Sequence, residues 1–296
     1  MNKIWCFYHS VDFDGQCSGA IVYNYYKERN RKVNLVGINY GESFPWTDIG
    51  SSDTVYMVDF GIQPFKDMVL LNSVCDLVWI DHHQSALNDL TESGVKFDGI
   101  QRNGIGACAL VWEYLYPNID IPYAIKLLSE YDVWIHDDPN TLPFQYGLRL
   151  EPDTQPDSDI WVDLFETEEG CDMWGNSLEW YDVLMKIINN GKTILEYETK
   201  NNELYCKHYA FETEINGLKA IAVNKGLTSS AVFDSVWDNT KYDCMLTFSR
   251  TKRGHWTCSL YTDKEGIDTS ITAKKYGGGG HVGASGFQCD ELPFKT

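Results

Sequence analysis

The chain has 296 residues, 43% of them hydrophobic and 23% charged, with 43 acidic against 24 basic side chains and a net charge of −19. That balance excludes a binder of long duplexes, which must neutralise many phosphates with Lys and Arg; a nucleic-acid ligand has to be short and locally gripped, or some of the acids hold cations. No apolar run approaches the roughly 20 residues of a bilayer span, no signal peptide opens the chain, and nine scattered cysteines without a CxxC pair argue against zinc ribbons and disulfide frameworks, so a cytoplasmic protein without a membrane partner is expected.

In chain order, KIWCFYH (3–9) reads as a strand, followed after the Gly15 turn by a helix from about Gln16 to Glu28. KVNLVGIN (32–39) and TVYMVDF (54–60) read as strands, PFKDMVLLN (64–72) as a helix and DLVWI (76–80) as the next strand. Helical patterns follow at 107–116 and 122–131. Alternating short apolar strands and helices predict an α/β fold with a parallel sheet covered on both faces. Residues 139–176, rich in proline and acids, read as an irregular, lid-like insertion that closes a first domain of residues 1–176. Residues 177–205 predict a long connecting helix interrupted at Gly191. From 206 to 296 short strands, one helix at 267–275 and a glycine-rich loop predict a smaller α+β domain.

In an open parallel sheet, ligands bind beyond the carboxyl ends of the strands. The first strand runs into HSVDFDG with His9, Asp12 and Asp14; the third ends at Asp59; the fourth delivers Asp81, His82 and His83; the helix at 122–131 leads to Asp132 in LLSEYDVW. Taken singly, each of these is a cap, a turn acid or a hydrogen-bonded imidazole. Taken together, that many carboxylates on one sheet edge repel unless a cation or a proton intervenes. Oxygen donors with imidazole suit Mn²⁺ or Mg²⁺ better than a thiolate-seeking ion, and paired ions ~3.5–4 Å apart serve phosphoryl chemistry. KKYGGGGHVGASGF (274–287) adds a second signal: its glycines let backbone N–H groups approach an anion, with His281 alongside. Arg250, Arg253 and His255 lie near a predicted hairpin and could add charge. In WIHDDP (134–139), His136 follows Asp132 closely enough to be a further candidate.

HSVDFDG, the VDF acid, DHH, the YDVW acid and GGGGH, in that order, resemble the DHH phosphoesterase superfamily with a GGGH-type C-terminal domain, over nearly the whole chain apart from 139–176. The likeness is to small oligoribonuclease or nanoRNase-type members, in a branch also described as cyclic-nucleotide phosphodiesterase-like. It implies an N-terminal DHH domain joined by a long helix to the smaller domain, with the active site in the cleft between them. Two Mn²⁺ ions (or Mg²⁺) are implied, one held by His9, Asp12 and Asp59, the other by Asp14, Asp59, His82 and Asp132, with Asp59 and the attacking water or hydroxide bridging them. His83 then faces the scissile phosphate and Asp81 orients His82. Gly278, Gly279, Gly280 and His281 bind the far phosphate or sugar. Two departures stand out: two residues separate His9 from Asp12 where several branches have three, and Tyr261 stands where the family has an arginine, with Arg250 a substitute for phosphate recognition.

The resemblance implies a Mn²⁺-dependent phosphodiesterase cleaving short oligonucleotides to mononucleotides. Cyclic mono- or dinucleotide hydrolysis, or removal of phosphate from 3′-phosphoadenosine 5′-phosphate, would use the same metals. Pyrophosphatase activity is disfavoured by the GGGGH ending, and long-strand exonuclease activity by the charge. A nucleotide sensor is the non-enzymatic alternative, and a homodimer is common in the family.

Overall fold

The computed structural model describes residues 2–166 and 179–296. Two compact units divide the chain, Met1–Ile194 and Leu195–Thr296. The first contains β1 (Ile4–His9), α1 (Phe13–Lys27), β2 (Val33–Ile38), β3 (Thr54–Val58), α2 (Lys66–Val74), β4 (Asp76–Ile80), α3 (Gln84–Ser93), α4 (Ala107–Leu115), α5 (Tyr123–Asp132), α6 (Thr141–Leu148), α7 (Ile160–Leu164) and the start of α8 (Glu179–Tyr209). Its four strands are all parallel, in the order β2-β1-β3-β4. The chain leaves β1 towards β2 on one side, then crosses back to β3 on the other. That reversal places the switch point, where an open α/β sheet binds its ligand, between β1 and β3.

Strand alternation sends Ile4, Cys6, Tyr8, Tyr56, Val58, Val78 and Ile80 to a core shared with α1, α4 and α5. Phe7, Val55, Met57, Leu77 and Trp79 face the other way, against Met68 and Leu71 of α2. Both faces are therefore covered, as the apolar strands require. The residues after α3 run beside β4, with Trp79 N–H donating to the Asp98 carbonyl at 2.9 Å and Asp81 N–H to that of Ile100 at 3.1 Å. Gly99 makes this approach possible, since a Cβ there would lie 2.0 Å from the Trp79 oxygen.

The stretch expected to be irregular, 139–176, instead contains α6 and α7; its last residues, 167–176, lie outside the described residues, as do 177 and 178 of the expected connecting helix. Pro143 sits in the first turn of α6, where a missing N–H is harmless. Nor does Gly191 interrupt α8: a Cβ there would lie 1.7 Å from the Pro143 oxygen, so the glycine lets α8 and α6 touch backbone to backbone.

The second unit contains the end of α8, β5 (Phe211–Ile215), β6 (Leu218–Val223), β7 (Cys244–Arg250), β8 (Trp256–Tyr261), α9 (Thr269–Lys275), β9 (Gly279–Gly280) and β10 (Ala284–Cys289). They form a mixed sheet in the order β5-β6-β7-β8-β10-β9, in which only β6 and β7 pair in parallel. Ala273 of α9 packs on one face with Leu246, Phe248 and Leu260, and Cys206 of α8 on the other with Ile221 and Val223.

Candidate metal centre

The carboxyl ends of β1, β3 and β4 present their side chains to one place because the strands are parallel and adjacent. His9 is the last residue of β1. Asp12 caps α1, accepting from Gly15 N–H at 2.9 Å. A Cβ at position 15 would meet the His9 carbonyl oxygen at 1.9 Å, so glycine alone allows α1 to start this close to β1. Asp14, in the first turn of α1, is buried and accepts from two amides at the start of α4, Ala107 N–H at 2.7 Å and Cys108 N–H at 2.8 Å. The positive end of a helix thus holds this carboxylate in place.

Asp59 follows β3 with φ of +54°, a left-handed conformation that aspartate tolerates better than most residues. Its N–H donates to the Ile80 carbonyl at 2.9 Å, and the buried Trp79 indole donates to the carbonyl of Phe60 at 3.0 Å. These two bonds tie the turn after β3 to β4.

The candidate ligands converge. His9 Nδ1 lies 3.0 Å from Asp12 Oδ2 and 3.6 Å from Asp59 Oδ2. His82 Nε2 lies 3.1 Å from Asp132 Oδ2, 3.3 Å from Asp59 Oδ1 and 3.7 Å from Asp14 Oδ2. Three sets of donor atoms each fall within 4.8 Å of one another: His9, Asp12 and Asp59; Asp14, His82 and Asp132; Asp59, His82 and His83. His9 Nδ1, Asp59 Oδ1 and His82 Nε2 are buried and have no aligned hydrogen-bond partner among the described residues. Such orphaned atoms cost roughly 1–3 kcal/mol each. Buried and unsatisfied, with His9 Nδ1 3.6 Å from Asp59 Oδ2 and His82 Nε2 3.3 Å from Asp59 Oδ1, they fit a divalent cation as the missing partner. Of the expected ligands, His9, Asp12 and Asp59 fall in one set and Asp14, His82 and Asp132 in another, while Asp59 meets His82 in a third set, with His83.

Electrostatics agrees. Burial, reinforced by the charge of Asp59, pushes the Asp14 carboxyl up to about 7, and burial with Asp14 does the same for Asp132. Burial also raises Asp59. The Asp12 and Asp59 carboxylates hold the His9 imidazole up at about 10. For His82, burial works downward, but Asp59, Asp14 and Asp132 override it and bring it to about 9. Protons take the place of the cation where none is bound.

Asp81 departs from expectation. Its Oδ1 accepts from the His82 and His83 amides at 2.7 and 3.0 Å and contacts His83 Nδ1 at 2.7 Å. The carboxylate therefore orients the ring of His83, and touches His82 only through its backbone. Sequence reasoning missed the Asp14 clamp formed by Ala107 and Cys108; the GIG before the apolar run at 107 is its one trace. It also missed Tyr40, whose ring packs edge-on to His9 at 5.7 Å. His136 joins none of the ligand sets.

The glycine-rich loop is also less open than expected. Gly278 N–H already donates to the Ala273 carbonyl and His281 N–H to that of Ala284. A Cβ at Gly278 or Gly280 would collide with β10, at 2.0 and 2.5 Å, so those two glycines serve the β9–β10 pairing; Gly279 has open space around it and His281 is exposed. Arg250 donates to the Gly254 carbonyl at 3.3 Å within the β7–β8 hairpin, and His255 contacts Asp290 at 2.6 Å.

No family model matches the chain. It is 24% identical over 299 residues to uncharacterized protein R106 of Acanthamoeba polyphaga mimivirus, covering 94% of this chain and 66% of that relative's length. Among solved structures, a DHH domain described as a member of the s1p family of ribosomal proteins matches with a TM-score of 0.51 at 12% identity, over 96% of this chain and 82% of that one. RecJ from Thermus thermophilus in complex with Mn²⁺ matches with a TM-score of 0.49 at 14% identity, over 97% of this chain and 49% of that one. The chain has the fold of a DHH-domain protein, α/β with a parallel four-stranded sheet and a second, mixed sheet. Among the described residues no helix is long and apolar enough to cross a membrane.

Proposed function

We propose that this protein is a divalent-metal-dependent phosphoric ester hydrolase, acting on short oligonucleotides or linear dinucleotides and releasing mononucleotides. The observation that supports this most directly is the sharing of the buried Asp59 between His9 with Asp12 on one side and His82 on the other, with unsatisfied buried atoms on His9, Asp59 and His82. When bound, a pair of divalent ions supplies an activated water and a clamp for the charge developing on the phosphate. His9, Asp12 and Asp59 would hold one ion, and Asp14, Asp59, His82 and Asp132 the other.

The chain's own groups do the rest. The Ala107 and Cys108 amides fix Asp14 before any ligand arrives, so no reorganisation is needed there. Asp81 accepts from His83 Nδ1–H, which fixes the ring, and against burial it favours, with Asp59, the imidazolium, whose Nε2–H can donate to a phosphate oxygen. His83 is a third exposed at its side chain, the most accessible imidazole of the cluster, which suits a group that meets substrate. In the second unit, the exposed His281 and the open Gly279 are the loop groups left to receive an anion.

The test is turnover. Purified full chain is incubated with Mn²⁺ or Mg²⁺ and a panel of dinucleotides, 3′-phosphoadenosine 5′-phosphate, cyclic nucleotides and pyrophosphate. Metal-dependent cleavage of dinucleotides to mononucleotides is expected. Cleavage of the bisphosphate alone would assign a phosphatase instead. No turnover, with nucleotide still bound by an Asp59→Asn variant, would leave a sensor.

A further inference from the structure

The end of α5 contains a feature that metal binding does not explain. Asp132 is its last helical residue. Trp134 N–H donates to the Tyr131 carbonyl at 3.1 Å, and Ile135 N–H to that of Glu130 at 2.9 Å. This pair of bonds closes a helix through a residue in the left-handed conformation, a position that glycine ordinarily fills because a Cβ there is crowded. Here it is filled by Trp134, at φ of +58°. Glycine or asparagine would close the helix with less strain. Moreover, Trp134 is 67% exposed, so burial does not compensate for the strain. Strained non-glycine residues of this kind persist where the site uses them.

The ring is nonetheless held. It meets His136 at 4.6 Å with the planes at 57°, and Tyr131 at 6.0 Å and 64°. Tyr131 and His136 lie nearly parallel to each other, 5.8 Å apart. Neither contact is a flat stack, and Trp134 remains largely exposed beside them. Trp134 stands two positions beyond Asp132, so the two Cα atoms are at most ~7 Å apart.

We propose that Trp134 is a base-stacking platform for this site, on which the nucleobase rests while its phosphate reaches the ligand set containing Asp132. This inference rests on the phosphoesterase reading and sharpens its substrate class. Every base has a π face, so a platform of this kind selects nucleotides over other phosphate esters while accepting different bases, provided they are unpaired.

Calorimetry with the full chain loaded with Mn²⁺ tests it, using AMP and ribose 5-phosphate, which share a phosphate and sugar but differ by the base. Wild type binds AMP more tightly than ribose 5-phosphate. Trp134→Ala and Trp134→Gly weaken AMP roughly 5- to 150-fold, the range for losing one base–aromatic stack, and leave ribose 5-phosphate unchanged; Trp134→Phe retains most of the AMP affinity. Trp134→Gly also relieves the backbone strain, so a folding defect does not account for its loss. Equal weakening of both ligands, or no weakening of AMP, overturns the platform. If wild type hydrolyses dinucleotides and Trp134→Ala binds AMP normally, the platform fails while the hydrolase stands. If no ester is hydrolysed but AMP affinity still depends on Trp134, the hydrolase fails and the platform stands.

Discussion

The two sheets of this protein treat polar chemistry differently. In the first, parallel strands end on one edge, and the turns after β1, β3 and β4, with the end of α5, bring His9, Asp12, Asp14, Asp59, His82, His83 and Asp132 together. In the second, mostly antiparallel sheet, successive turns fall at opposite ends, and among the described residues no comparable cluster forms. Topology thus decides which residues can act jointly, since parallel order makes every strand–helix turn a neighbour of the next. It also decides what glycine is for: Gly15 brings a helix against a ligand, whereas Gly278 and Gly280 close a hairpin.

The largest test of that contrast is Asp59→Asn. It removes the carboxylate shared by two of the three ligand sets and should lower turnover by more than the roughly 10- to 100-fold seen for residues that merely support a ligand. His281→Ala in the second unit should leave metal occupancy unchanged; metal loss in both variants would erase the distinction. Asp81→Asn comes next, with turnover down about 10- to 100-fold and metal retained, because only the aim of His83 is lost. Metal loss in that variant, measured by equilibrium dialysis, would move Asp81 into the ligand set.

A paired glycine experiment is smaller in scale. Gly15→Ala forces α1 away from the His9 carbonyl and should cost about 2 kcal/mol or more in denaturant unfolding, while Gly279→Ala, with open space around it, should fall within about 0.5 kcal/mol.

The smallest effect is a pH slope. In the metal-free chain, Asp14 and Asp132 hold protons up to about 7 that the unfolded chain releases near 3.8. Their contribution is therefore complete below pH ~4 and lost as pH rises through ~7. His9 and His82, at about 10 and 9 against 6.5, continue the same sign upward, while Asp12 acts oppositely only below its ordinary value of 3.8. Saturating Mn²⁺ should reverse the slope, since binding takes the deprotonated ligands. A melting temperature that rises with pH in chelator would contradict this.

Much of the first sheet was legible because its strands are short apolar runs that stop at charged residues. DLVWI matches β4 residue for residue, and the acids beyond β1, β3 and β4 could be placed on one edge from parallel order alone. What stayed hidden depends on contacts distant in sequence or on local backbone curl. The amides that clamp Asp14 lie more than ninety positions away. Asp81 is adjacent to His82, yet its carboxylate turns back to the amide two residues on, which brings it to the ring of His83. The prolines of 139–166 masked α6, and α3, with only Ala86, Leu87 and Leu90 apolar and Ala86 alone buried, carried too little apolar content to be read. In YDVW, the tryptophan looked like one more aromatic; only its backbone conformation and exposure set it apart.

The central claim is that one buried aspartate is common to two metal positions. Titration of the metal-free full chain with Mn²⁺, followed by electron paramagnetic resonance, tests it directly. Wild type should take up two ions per chain with a spin-coupled spectrum, and Asp59→Asn should lose that coupling together with at least one ion. Two uncoupled ions in wild type, or an Asp59→Asn variant that keeps the coupled pair, would contradict the account.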